Sequence, residues 1–111
     1  MKDFYCDEVL SQLTPVQRVL ESKNFLAFHH TKPSWPVHIV VISKQHIASI
    51  GDFPDDERLL GEMMKMLRRV MADVSKEHGG CRLTTNMGNC QITKHLHWHI
   101  YVGEPQGRVE N

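Results

Sequence analysis

Leu60, Met63, Met64, Leu67, Val70, Met71 and Val74 recur three and four positions apart, with charged residues between them. That spacing puts them on one face of a helix, and residues 55–78 read as the longest element of the chain. Pro54 and the acids Asp55, Asp56 and Glu57 suit its start, and Gly79-Gly80 its end. Its four methionines fit a flexible core-facing stripe rather than a ligand surface. Leu59 and Met66 sit beside the stripe as apolar surface that a second copy would cover, so a homodimer is expected.

Elsewhere the pattern is that of strands. Residues 16–21 and 25–29 form a hairpin across Ser22-Lys23-Asn24, and residues 38–42 are apolar, β-branched and central. Residues 81–85 and 95–102 give a fourth and a fifth strand. Residues 3–13 read as a short N-terminal helix stopped by Thr14-Pro15, residues 30–36 as a proline-bearing loop, and residues 86–94 as a polar turn. The tail from about residue 104 reads as loosely ordered. The order predicts an α+β fold: a mostly antiparallel five-stranded sheet, one long helix packed on one face, and a short N-terminal helix.

Composition narrows the class. A chain of 111 residues suits a single domain over 1–111. Thirteen basic and thirteen acidic residues give no net field for a nucleic acid or a membrane surface, and neither partner is expected. No apolar run approaches the ~20 residues of a bilayer span, and Met1-Lys2-Asp3-Phe4-Tyr5 does not read as a signal peptide. Cys6, Cys81 and Cys90 lack framework spacing and read as reduced thiols of a cytoplasmic protein.

Eight residues are histidine, and His95, His97 and His99 fall within five positions. On a strand these three share a face at steps of about 7 Å, while Leu96, Trp98 and Ile100 take the other. The apolar set packs under the helix, which leaves His97 on the solvent side. A row of surface histidines is one reading. A zinc site with His38 as third ligand is another. Nucleophilic catalysis by one imidazole, with its neighbours orienting it, is a third.

The stretch His95-Leu96-His97-Trp98-His99-Ile100-Tyr101 resembles the signature of the histidine triad (HIT) family, histidines alternating with apolar residues. Phe25-Leu26-Ala27-Phe28-His29 resembles the family's "LAF" strand. Residues 36–47, Pro-Val-His-Ile-Val-Val-Ile-Ser-Lys-Gln-His-Ile, resemble its second segment, and Asn86, Gly88 and Gln91 fall where the family carries Asn-x-Gly and Gln. The resemblance implies a nucleotide hydrolase or nucleotidyl transferase acting on a purine nucleoside phosphoramidate or a dinucleoside polyphosphate. His97 would attack the α-phosphate and carry the nucleotide covalently. The backbone carbonyl of His95 would fix its tautomer, His99 would contact the phosphate, and His38 would complete the cluster. Asn86 and Gln91 would hold phosphate or leaving-group oxygens, while Phe28 and Val40 would enclose the base. It also implies a homodimer formed through the long helix.

Departures from the pattern bear on substrate. His30 stands where many members carry a ribose-binding acid or Asn, and its imidazole is expected to accept one hydrogen bond. Cys90 and Ile92 replace residues that commonly flank Gln91, and Ile92 lacks a hydroxyl. No cofactor is required by this chemistry. Many bacterial members hold a structural zinc with an N-terminal Cys-x-x-Cys, a His at position 46 and the first triad His. Here Asp3 replaces one cysteine, so a lost site is the expectation, with Asp3, Cys6, His46 and His95 as the ligands if one is kept. His78 reads as a helix-end cation and His29 as strand polarity. A non-catalytic nucleotide-binding module and a zinc-dependent hydrolase using the histidine row remain the alternatives.

Overall fold

The computed structural model describes residues 3–105. Five strands form one antiparallel sheet in the order β1-β2-β3-β5-β4. They are β1 (Arg18–Glu21), β2 (Phe25–His29), β3 (Val37–Ser43), β4 (Arg82–Thr85) and β5 (His97–Val102). The helix α1 (Glu57–His78) packs on one face against Phe25, Ala27, Ile39, Val41, Leu96 and Ile100. This is the predicted α+β architecture, with strand ends moved by one or two residues. Residues 106–111, most of the tail, lie outside the described residues; Glu104 and Pro105 are exposed. Among the described residues no helix is long and apolar enough to cross a membrane.

α1 is bounded by local chemistry. The Asp56 carboxylate accepts from the Leu59 backbone N–H at 3.0 Å and caps the first turn, which leaves Asp55 outside the helix. Gly79 ends it at φ 82°, a left-handed conformation that costs a glycine little, and its N–H returns to the Ser75 carbonyl. Glu62 clamps the helix to the β1–β2 turn, accepting from Ser22 Oγ at 2.6 Å, from Asn24 N at 2.7 Å and from Asn24 Nδ2 at 2.8 Å.

The buried stripe of α1 is not the predicted one. Leu59, Met63, Met66, Leu67, Val70 and Val74 face the sheet, while Leu60 and Met64 are 43% and 45% exposed. Two apolar stripes share Met63, Leu67, Val70 and Val74, and periodicity alone cannot choose between them. The sheet does, because the helix must present its widest apolar face to it.

The second face of the sheet is covered too. The N-terminal helix shrinks to a π-helical turn, Tyr5–Val9. Tyr5 and Val9 pack there on Leu26, Phe28, Val40 and Ile42. Thus β3 is buried on both faces, consistent with its unbroken apolar run.

Candidate active site

Cross-strand register builds the site. His99 lies opposite Val40, His97 opposite Ile42 and Tyr101 opposite His38, so all these side chains share the face under the N-terminal turn. Leu96 and Ile100 are in the helix-side core, with Trp98 packed against it, as alternation predicts. The expectation that His97 faces solvent is wrong. His95, His97 and His99 are 0%, 1% and 3% exposed: the His30 and His38 rings pack beside His99, and the Tyr5 ring covers the other two. Its centroid lies 5.0 Å from that of His97 and 5.6 Å from that of His95.

Each imidazole is wired to a definite tautomer. His97 Nδ1 donates to the His95 carbonyl at 2.6 Å, which leaves the Nε2 lone pair bare. That buried Nε2 has no hydrogen-bond partner among the described residues. Burial lowers the pKa of His97 while the His95 carbonyl pulls the other way, so the ring is held neutral and nucleophilic. His38 Nδ1 accepts from the Ser34 backbone N–H at 3.0 Å. Its proton therefore sits on Nε2 and is donated to His99 Nδ1 at 2.8 Å, and His99 in turn carries its own proton on Nε2. Burial, with the neighbouring His30 and His97, pushes the pKa of His38 down to about 3.

Ring nitrogens of His30, His38 and His99 lie within 4.8 Å of one another. They do not make a chelate. His38 and His30 each receive a backbone N–H on Nδ1, the latter from Lys32 at 2.9 Å, so their remaining nitrogens bear protons. This argues against His38 as the third ligand of a hydrolytic zinc.

A second group differs. Asp3, Cys6, His46 and His95 each place one donor atom within 4.8 Å of the others. His95 Nε2 donates to the Ser43 carbonyl at 2.7 Å, so its Nδ1 lone pair faces Asp3 Oδ2 at 2.8 Å and Cys6 Sγ at 3.4 Å. His46 Nδ1 lies 2.5 Å from the same carboxylate oxygen. Two acceptors so close need a cation between them, a proton or a metal ion. One oxygen, one sulfur and two nitrogen donors fit zinc. Burial raises the Asp3 pKa, but the Cys6 N–H and His95 more than offset it and hold the carboxylate ionised. Burial first, then Asp3, pushes the Cys6 thiol up to about 11.

A cavity lined by Phe4, Tyr5, Phe28, His30, Thr31 and Lys32 meets the histidine cluster at His30, whose ring stacks on His38. Ile92, 61% exposed, and Thr93 border it. Val40 does not line it; it is fully buried beside Phe28. Gln91 is buried, and its amide nitrogen donates to the Ala48 carbonyl at 2.9 Å. Asn86 follows directly on β4 and is half-buried. Tyr5, Ser34 and Ser43 escape a reading of the sequence, because two act through backbone groups and the third by packing from a distant segment.

The HIT domain matches residues 12–106 of the chain. A HIT-like protein of Chlamydia pneumoniae is 31% identical over 107 residues, which cover 92% of this chain and 94% of the relative. The crystal structure of a HIT family hydrolase from Legionella pneumophila Philadelphia 1 aligns with a TM-score of 0.78 at 30% identity, over 93% of this chain and 94% of that one. A zinc-bound histidine triad family protein from Mycobacterium smegmatis aligns with a TM-score of 0.77 at 25% identity, over 91% of this chain and 74% of that one.

The His38 environment sets a pH dependence. Between its folded pKa of about 3 and its ordinary 6.5, the unfolded chain binds a proton that the native chain does not. Stability therefore falls as pH drops through this window, by at most about 1.4 kcal/mol per unit for one group. In denaturant titrations from pH 7 to 4, His38→Gln is expected to show a shallower slope than the wild type. Identical slopes would refute the assignment. The family match and the matching fold, with the histidine signature at residues 95–101, lead to one conclusion: the chain belongs to the histidine triad (HIT) family and has the fold of a HIT family hydrolase.

Proposed function

We propose that the protein is a nucleotide hydrolase or nucleotidyl transferase, acting at the α-phosphate of a purine nucleoside phosphoramidate or a dinucleoside polyphosphate. One observation carries this reading: a buried, neutral imidazole, His97, whose Nε2 lone pair is bare while its Nδ1–H is held by a carbonyl. Nε2 attacks phosphorus, a P–N bond forms and the bond to the leaving group breaks. The ring becomes an imidazolium, and the His95 carbonyl stabilises its Nδ1–H. His99, its tautomer set by His38, donates from Nε2 to a phosphate oxygen. Water then attacks phosphorus, the P–N bond breaks, and a nucleoside monophosphate leaves. The base stands against Phe4, Tyr5 and Phe28.

His97→Gln is expected to lower release of AMP from adenosine 5′-phosphoramidate by about 10³-fold or more. His97→Ala does the same and also costs about 1–3 kcal/mol of stability, because it empties a buried position. Activity within about tenfold of wild type would exclude His97 as nucleophile and favour a binding module.

A structural zinc ion held by Asp3, Cys6, His46 and His95 is part of the reading. It would tie the N-terminal turn to the first triad histidine and leave the chemistry at His97 to imidazole alone. Elemental analysis is expected to give about one zinc per chain. The cobalt-substituted protein is expected to show a thiolate-to-metal absorption band that Cys6→Ser loses. A zinc-saturated protein that retains no metal after dialysis would contradict the site. Turnover lost on chelation and restored by zinc, with the fold unchanged, would favour a metal hydrolase.

The homodimer rests on different residues from those first expected, since Leu59 and Met66 are buried within the protomer. Leu60 and Met64, one turn apart and exposed, supply the surface that a second copy covers. Light scattering at micromolar concentration is expected to give twice the 12.8 kDa chain mass, and Met64→Glu to weaken association. A monomer mass alone would overturn the assignment.

A further inference from the structure

We propose that Trp35 is a positioning residue for the histidine cluster: stacked on Tyr101, it holds the Ser34 backbone N–H against His38 and so fixes the nitrogen on which His99 carries its proton. The inference deepens the nucleotide reading and rests on it only for the effect on turnover.

Two neutral imidazoles joined by one hydrogen bond have two arrangements. In one, His38 Nε2 donates to His99 Nδ1, and the proton of His99 is on Nε2. In the other, His99 Nδ1 donates to His38 Nε2, and His99 Nε2 holds a lone pair. The 2.8 Å contact between the rings suits both. A lone pair aimed at a phosphate oxygen repels it, whereas an N–H attracts it. The choice is made on the far side of His38, where its Nδ1 meets the Ser34 N–H at 3.0 Å. A donor there excludes a proton on Nδ1. Burial keeps His38 neutral, so its one proton goes to Nε2.

The Ser34 N–H belongs to the loop before β3, so what holds the loop holds the tautomer. The start of the loop is tied by backbone, since His30 N donates to the His38 carbonyl at 2.8 Å. The other half contains Pro33 and Pro36, which have no N–H to donate. Side chains take over there. Trp35, 9% exposed, lies on Tyr101 with ring centroids 3.9 Å apart and planes 26° from parallel. Its ring also meets His38 edge-on at 4.9 Å. Tyr101 is the register partner of His38 across β3 and β5. The stack thus ties the residue after Ser34 to the strand that carries His99. Pro36 seats beside it on Gly103, where φ is 94° and a Cβ would lie 2.9 Å from the proline ring.

The test compares the intact wild type with Trp35→Ala, Trp35→Phe and Tyr101→Leu. Nitrogen NMR of the histidine rings at neutral pH reads the tautomers, and hydrolysis of adenosine 5′-phosphoramidate reads turnover. In the wild type, His38 and His99 are expected to carry their protons on Nε2. Trp35→Ala and Tyr101→Leu are each expected to give mixed tautomers at both rings, with kcat down about tenfold or more and KM within about twofold. Trp35→Phe, which keeps a stacked ring, is expected to restore both readouts. The double variant is expected to be no worse than either single one, because both remove the same contact. Tyr101→Leu decides the matter should Trp35→Ala fail to fold. Lowered stability with wild-type tautomers would make Trp35 structural only and overturn the proposal, as would tautomers still mixed in a folded Trp35→Phe. Mixed tautomers with unchanged turnover would sustain the positioning and remove His99 from the functional reading. If the wild type hydrolyses nothing, that reading falls, and the ring nitrogens of the variants still decide this inference: mixed sustains it, unchanged overturns it.

Discussion

The hydrogen bond from His97 Nδ1 to the backbone carbonyl of His95, 2.6 Å long, is the constraint on which the site depends. It decides which nitrogen holds the lone pair, and it joins a residue to its neighbour two positions earlier on one continuous chain. Such a bond needs no second element to align it. His95 precedes β5, where the chain enters the sheet, and its own ring is anchored to the Ser43 carbonyl at 2.7 Å. The end of β3 therefore holds the residue whose carbonyl orients the next histidine. From there the requirements spread outward. His97 stays neutral because it is buried, and it is buried because Tyr5 covers it.

That dependence gives the N-terminal turn a role beyond covering a face of the sheet. Tyr5 and Val9 complete a second small core, and Asp3 and Cys6 reach the Nδ1 of His95 from the same segment. The site thus stands on two supports. One is the sheet with α1 beneath it, whose packing is ordinary. The other is a single turn whose hold on the sheet runs through Tyr5, Val9 and the Asp3–Cys6–His46–His95 group. A loss at that group would act on His97 through the backbone between His95 and His97.

Much of this was legible in the chain. Strand alternation put Leu96, Trp98 and Ile100 on the helix side and the three histidines on the other, and the register agrees. The extent of α1 followed to within two residues from Pro54 and the acids at its start and Gly79-Gly80 at its end. What failed had a common cause. Periodicity says that a residue lies on a face, but not what covers that face. Hence Leu60 and Met64 were assigned to the core in place of Leu59 and Met66, and His97 to solvent. Tautomers were illegible for a related reason: the groups that set them, the N–H of Ser34 and Lys32 and the carbonyl of Ser43, are backbone atoms common to every residue type. Asp3 illustrates a third limit. The sequence offers its carboxylate only as a possible replacement in a two-cysteine pattern, and it is folding that sets it between two imidazoles.

Direct attack by His97 on phosphorus is the central claim, and stereochemistry tests it most directly. A covalent intermediate requires two in-line displacements at one phosphorus, each inverting it, so configuration is retained overall. Water attacking in a single step inverts it once. The measurement is hydrolysis of a nucleoside phosphoramidate made chiral by sulfur at the α-phosphate, run in isotopically labelled water. The product is expected to show retention, with a nucleotidyl adduct on His97 recovered from a quench that avoids acid. Inversion would contradict the account, even if every histidine of the cluster proved essential.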